Sequence, residues 1–246
     1  MNRGGHIPRV HVEGPLAAGA EVRIEGDKAH HLRNVLRLRA GDGVILFDGG
    51  GGEYDATVAD LGRGLIELSV DRYRPAHRES PLRLVLAQGI ARGDRMDFAV
   101  AKAVELGVHA IRPLFTDKGQ VRLDGERLAR KLSHWRRVAE SAAEQSGRER
   151  VPEVQEPTPL GDWLAVAPGT TRLVLDPAAE SGPASLPRTV DACLLIGPES
   201  GLSGAELEAA SAAGFSRIRL GPRVLRTETA GPAALAILQA LWGDMG

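Results

Sequence analysis

Two stretches of this chain combine residue types that can hold a small ligand and act on it. In Ile196-Gly197-Pro198-Glu199-Ser200-Gly201-Leu202-Ser203 an apolar run breaks at a glycine turn, and Ser203 and Glu206 follow at the spacing of a helix capping box. Leu220-Gly221-Pro222-Arg223-Val224-Leu225-Arg226-Thr227-Glu228-Thr229-Ala230 repeats the plan, with two arginines and one acid around a short polar loop. Glycine lets a ligand approach the main chain closely, and a strand running into a helix aims free N–H groups at it. Either turn alone reads equally well as an ordinary strand-to-helix connection.

Other chemistries lack their residues. Neither G-x-G-x-x-G nor G-x-x-x-x-G-K-[ST] occurs, which argues against nicotinamide and ATP sites. No G-x-S-x-G elbow is present. His30 and His31 are adjacent, so on a helix they diverge and cannot chelate one ion, and no metal is expected. The single cysteine, Cys193, lies inside an apolar run and reads as a buried, inert side chain.

The elements that must position these turns fall into two groups. Residues 7–73 alternate β-branched runs with turn signals: strands are predicted at 10–12, 22–24, 44–47, 54–58 and 65–70, a hairpin loop at 48–52, and one short helix over 28–38. Residues 72–81 read as a linker. Beyond it, strands at 82–87, 108–115, 171–176, 192–196 and 218–220 alternate with helices at 94–106, 126–146, 203–213 and one reaching the carboxyl end. Asp94 is the expected cap of the first of these helices and Gly107 its close. The predicted fold is α/β: a small β-barrel-like amino-terminal domain (residues 1–75), then a mostly parallel sheet covered by helices (76–246). Ligands of such sheets sit outside the carboxyl ends of the strands, where both glycine turns fall.

Charge is balanced overall and skewed locally. The 246 residues carry 31 basic and 32 acidic side chains, a net charge of −1. Residues 112–150 nevertheless hold ten Lys and Arg against six acids, and residues 1–40 seven against four, with His6, His11, His30 and His31 besides. Such patches suit docking on phosphates at chosen places, or are solvated faces. With 43% hydrophobic residues the chain has globular composition, which excludes disordered and disulfide-scaffold classes. No apolar run approaches a membrane span and residues 1–6 lack a signal-like apolar region, so no membrane association and a cytoplasmic location are expected.

Together the two glycine turns resemble the paired signature of the RsmE family, the 16S ribosomal RNA uracil-N3 methyltransferases of the SPOUT class. The resemblance continues through His30-His31-Leu32-Arg33-Asn34-Val35-Leu36-Arg37, Phe47-Asp48-Gly49, Arg95-Met96-Asp97, Lys102 to Val108, Trp135 with Ala142 to Arg148, and Val151-Pro152. It implies a PUA-like RNA-binding amino-terminal domain, a carboxyl-terminal methyltransferase domain tied in a trefoil knot, S-adenosyl-L-methionine as cofactor, and a homodimer acting on 16S rRNA or the small ribosomal subunit. Where Ser200 stands the family usually has a second glycine; a positive φ there would strain the turn by about 1 kcal/mol.

Carried over residue by residue, the resemblance implies that Ile196, Gly197, Pro198, Glu199 and Gly201 form one wall of the cofactor pocket and Leu220, Gly221, Val224, Leu225 and Arg226 the other. Methylating N3 of uracil requires loss of the imide proton, and a cation near the ring oxygens stabilises the resulting charge. Arg226 is the first candidate for that cation, unless it pairs with Glu199 or Glu228; either acid could be the base or a turn anchor. Arg9, Arg33 and Arg37 are the expected RNA contacts of the amino-terminal domain. Arg148 faces RNA phosphate, the second subunit or its own helix end. Trp135 belongs to the core or the dimer interface. The alternative to an enzyme is a catalytically silent RNA-binding ribosome-assembly factor, which would have no need of a small-molecule pocket between the two turns.

Overall fold

A computed structural model describes residues 7–246 of the chain. Residues 1–6, with Arg3 and His6 of the basic amino-terminal patch, lie outside the described residues. Contacts divide the chain into two compact units, one through Glu79 that also takes in Ala143–Val151, the other Ser80–Ala142 with Pro152–Gly246.

The first unit is a five-stranded sheet. Its strands are β1 (Arg9–His11), β2 (Glu21–Glu25), β3 (Gly43–Phe47), β4 (Glu53–Leu61) and β5 (Leu65–Arg74), in the order β1-β3-β4-β5-β2, with β1 parallel to β3 and the remaining pairs antiparallel. Alternation turns Val44, Leu46, Ala56, Val58, Ile66, Leu68 and Val70 onto one core, and irregular registers at Asp55/Ala56 and Val58/Asp60 add the local twist that bulges bring. The expected hairpin loop is present, with Asp48 accepting the amide of Gly50 at 2.8 Å. The predicted helix over 28–38 is instead a short helix α1 (Gly26–His30) running into a π-helical turn (His31–Val35).

Residues 72–79 are not a bare linker. Arg74 and Arg78 both bond the carboxylate of Glu53, which is 1% exposed, and Glu79 receives Arg148 and the amide of Glu149. Glu149 in turn accepts the amides of Gly52 (2.7 Å) and Arg78 (2.8 Å), so 147–149 is held within the same unit. A spacing-based reading has no access to such pairings, because the partners are 21 to 97 residues apart and no local period joins them.

The second unit is a parallel sheet whose strands are β6 (Arg83–Gly89), β7 (Ala110–Phe115), β8 (Glu153–Val154), β9 (Thr158–Pro159), β10 (Thr171–Leu175), β11 (Asp191–Ile196) and β12 (Ser216–Ile218). The order is β12-β10-β11-β6-β7-β8, with β9 also on β7. Every pairing is parallel, and central strands buried on both faces are apolar throughout, as in Ala192–Ile196. Helices α2 (Asp94–Glu105), α3 (Gly125–Ser146), α4 (Leu160–Leu164), α5 (Gly204–Ala212) and α6 (Thr227–Trp242) complete the chain. The cap of α2 is Gly93 at φ 55°, not Asp94, which makes no capping bond and sits in the first turn where its charge faces the positive helix end. Trp135 is 2% exposed and belongs to the core, so its face is not available to a second subunit. Cys193 is fully buried, and burial pushes its thiol up to about 12. Among the described residues no helix is long and apolar enough to cross a membrane.

Candidate active site

β10, β11 and β12 end side by side, and a cavity of about 610 Å³ opens at their carboxyl ends, within the range of small-molecule sites. It is the place the topology favours: β6 continues to β7 on one side, whereas β10 and β12 lie beyond β11 on the other.

Local rules shape the first wall. Leaving β11, Gly201 at φ +69° closes a turn by donating to Pro198 O at 2.9 Å. Ser203 then caps α5 in the expected box, accepting from Glu206 N (3.1 Å) while Glu206 Oε2 accepts Ser203 N (2.7 Å). Only glycine fits at 197, since a Cβ would sit 2.9 Å from Gly201 C, and at Gly89 on β6, where it would sit 2.6 Å from Pro198 N. Ser200 has no positive φ, so the strain anticipated from its side chain is absent. Its hydroxyl donates to Lys118 O at 2.6 Å and braces the turn instead.

The second wall is the loop between β12 and α6, turning at Gly221 (φ +72°). Thr227, the first residue of α6, donates through Oγ1 to Gly197 O at 2.7 Å and accepts Gln88 Nε2 at 3.0 Å, which ties the two turns together in the buried interior. The main-chain amides of Leu220, Gly221, Val224 and Leu225 make no hydrogen bond among the described residues. Val224 is 77% exposed at the rim. A wall of apolar side chains with unpaired amides fits a purine and its sugar, which are bound by stacking, apolar contact and edge hydrogen bonds.

All ten residues expected to wall a cofactor pocket line this one cavity, and so does Glu228. The structure separates the roles of the charged ones. Arg226 is exposed at the N-cap of α6 and forms neither an ion pair nor a side-chain hydrogen bond among the described residues. Glu199 and Glu228 turn to Arg95 instead, at 2.8 and 3.6 Å. Glu199 also accepts the amide of Arg92 at 2.9 Å. Burial alone would raise the Glu199 carboxyl, but the Arg92 amide and the Arg95 guanidinium outweigh it and hold it below the usual range. Glu228 keeps one buried oxygen, Oε2, without a partner.

Arg95, Gln88 and Thr227 were not singled out as site residues from sequence. Gln88 carried a faint signal, a polar residue near the end of a largely apolar strand; Arg95 stands in the Arg95-Met96-Asp97 motif, but nothing local marks its partners, which lie 104 and 133 positions away.

In the first unit the four expected RNA contacts divide. Arg33 and Arg37 are exposed. Arg9 is not: its side chain is 6% exposed, it pairs with Glu53, donates to Arg148 O at 2.9 Å and lies over Phe47. Arg148 is buried against Glu79. Both are structural cations whose charge is already spent on carboxylates, and neither can reach a phosphate without abandoning its partner. Glu53, ringed by Arg78, Arg74 and Arg9, ionises at about 2, because those guanidiniums overcome the opposing effect of its burial.

Residues 78–239 match the RNA methyltransferase domain family and residues 24–71 the RNA methyltransferase PUA domain family. The ribosomal RNA small subunit methyltransferase E of Buchnera aphidicola (from Schizaphis graminum) is 32% identical over 97% of this chain and 98% of its own. A Legionella pneumophila protein solved in complex with the bound cofactor SAM superposes with a TM-score of 0.95 at 36% identity, covering 98% of this chain and all of that one. The ribosomal RNA small subunit methyltransferase E of Neisseria gonorrhoeae, bound to S-adenosyl methionine, gives 0.91 at 36% identity with the same coverage. A PUA-like unit followed by a parallel α/β methyltransferase unit, alike over their whole length to these proteins, leaves one assignment: the chain is an RNA methyltransferase and belongs to the RsmE family.

Proposed function

We propose that this enzyme transfers a methyl group from S-adenosyl-L-methionine to N3 of a uridine in the 16S rRNA of the small ribosomal subunit. The observation that carries the reading is the convergence of both glycine turns on one cavity with an unpaired guanidinium, Arg226, at its rim. The full-length likeness to relatives crystallised with that cofactor supports it.

The residues present fit the cofactor. The free amides of Leu220, Gly221, Val224 and Leu225 would bond the adenine edge, and Ile196, Leu202 and Leu225 supply apolar contact. When bound, the sulfonium supplies an electrophilic methyl group. The chain must provide the rest: a proton leaves N3, and the negative charge that spreads onto the two ring carbonyl oxygens needs a fixed cation. Arg226 fits that role because its guanidinium stays protonated, offers two donors in one plane and is claimed by no carboxylate. Glu228 is the better base of the two acids, since Glu199 is committed to Arg92 and Arg95 and held ionised by them.

In this reading residues 1–75 form the RNA-binding domain and 76–246 the catalytic one, the main chain at the site is knotted, and the enzyme works in the cytoplasm as a homodimer. Exposed apolar side chains on α2 and α6 (Phe98, Ile237 and Leu241) favour assembly. The test is nucleoside mass spectrometry of small-subunit rRNA with and without the protein: 3-methyluridine appearing only with protein and S-adenosyl-L-methionine is the expected result. A methylated nucleoside of another kind, or none, overturns the assignment.

A further inference from the structure

The π-helical turn of the first unit departs from what its sequence would otherwise do. With apolar residues at 32, 35, 36 and 38, a regular helix would send Leu36 inward one turn after Leu32. Instead Leu36 N bonds His31 O, five residues back, and the extra residue in the turn rotates the following side chains outward. Leu32 and Leu38 stay in the core, while Val35 is 61% and Leu36 43% exposed. Between Leu36 and Leu38 stands Arg37 at φ +57°, the one non-glycine residue with positive φ among the described residues. A branched-free cation in a glycine conformation, beside two apolar side chains turned to water, is a costly arrangement that packing alone does not call for.

Beside this turn lies a notch of about 310 Å³, with Ala29, His30, Arg33 and Asn34 on one side and the turn from Gly62 to Ile66 on the other. Its charged lining is wholly basic, Arg33 and Arg63, with no carboxylate. Arg33 is steadied by donating through Nη1 to Gly62 O at 2.7 Å, which leaves its other nitrogens free to donate elsewhere. His30, Asn34, Arg37 and Arg63 make no side-chain hydrogen bond among the described residues.

We propose that the notch takes a single-stranded nucleotide of the rRNA substrate: Arg33 and Arg63 hold its phosphate, and Val35 and Leu36 form an apolar ledge for the adjoining base or ribose. The proposal rests on the reading of the chain as an rRNA methyltransferase, and narrows it from a domain to four side chains. Phosphate recognition follows from the all-basic lining and the forked donors of arginine. Splayed, unstacked bases are the parts of RNA that need an apolar partner.

The test uses the full chain with transcribed small-subunit rRNA as probe, and reads RNA affinity directly by fluorescence anisotropy across a salt series. Arg33→Gln with Arg63→Gln should weaken binding at least tenfold and make the slope of log K against log salt shallower by about 1.4, two contacts at ~0.7 each for a single strand. Arg33→Lys should keep most of the slope. Val35→Ser with Leu36→Ser should weaken binding several-fold and leave the slope as it was. Cofactor affinity, measured by calorimetry, and melting temperature should match the unsubstituted chain in all variants. If the double arginine variant keeps both affinity and slope, the phosphate site lies elsewhere, most simply on the Arg127, Arg130 and Lys131 side of α3, and the proposal fails. If the apolar variant binds as before, the ledge fails. Loss of methylation by the unsubstituted chain would count against the catalytic reading alone, because the binding measurement does not depend on turnover.

Discussion

Glu53→Gln tests the charged cluster that organises the first unit. Three guanidiniums, from Arg9, Arg74 and Arg78, converge on one carboxylate that is 1% exposed and ionises at about 2 against an ordinary 4.5. Holding the carboxyl at about 2 rather than 4.5 is worth ~3 kcal/mol. Because the folded value lies below the unfolded one, that stabilisation is complete above about pH 4.5 and disappears as pH falls toward 2. Glutamine keeps the shape and loses the charge, leaving three partly desolvated cations facing each other, so the loss at pH 7 should be about 3 to 5 kcal/mol. Two units make a single unfolding free energy ill-defined, but the aromatic residues separate them. Tyr54 and Tyr73 lie in the first unit, and Trp135, Trp163 and Trp242 in the second. Denaturant titrations followed by tyrosine absorbance should show the full loss, while tryptophan fluorescence should shift little. The gap between variant and unsubstituted chain should close between pH 4.5 and 2. A loss under 1 kcal/mol at pH 7, or a gap that persists at pH 2, would refute the account of Glu53 as an ionised keystone.

Four further substitutions probe the cavity. Arg226→Lys should slow single-turnover methylation by roughly 30- to 1000-fold (about 2 to 4 kcal/mol) with cofactor affinity within a few-fold, since Arg226 anchors nothing; a parallel fall in rate, affinity and melting temperature would make it structural. Glu228→Gln should cut the rate and spare cofactor binding, whereas Glu199→Gln, which frees the Arg92 amide and Arg95, should weaken cofactor binding first; the opposite pattern in calorimetry and single-turnover assays would exchange their roles. Ser200→Gly should lower stability of the turn by about 1 kcal/mol through loss of the 2.6 Å bond to Lys118 O, and a melting temperature that rises instead would mean that Ser200 is strained after all.

Periodicity and turn chemistry made most of the elements legible in the linear chain. The alternation of Leu65 to Val70, the unbroken apolar run Ala192 to Ile196 and the Ser203/Glu206 cap are each decided within one strand or one helical turn, so the chain carries their physics locally. The glycine turns could be located for the same reason, because a positive φ at Gly201 and Gly221 and a close approach at Gly197 are requirements on single residues. Short elements such as β8, β9 and α4 escaped, being too brief to show a period.

Charge was where local reading ran out. An arginine looks alike in sequence whether it faces water, a phosphate or a buried carboxylate, and its partner is chosen by the fold. Arg9 and Arg148 were spent on Glu53 and Glu79, at separations of 44 and 69 residues, while Arg33 and Arg37 remained exposed. Likewise Glu199 and Glu228 went to Arg95, which left Arg226 unclaimed at the cavity rim. Hydrophobic burial acts on each residue according to its own side chain and is written along the chain; these ion pairs each need two distant segments brought within about 4 Å, and tertiary structure alone does that.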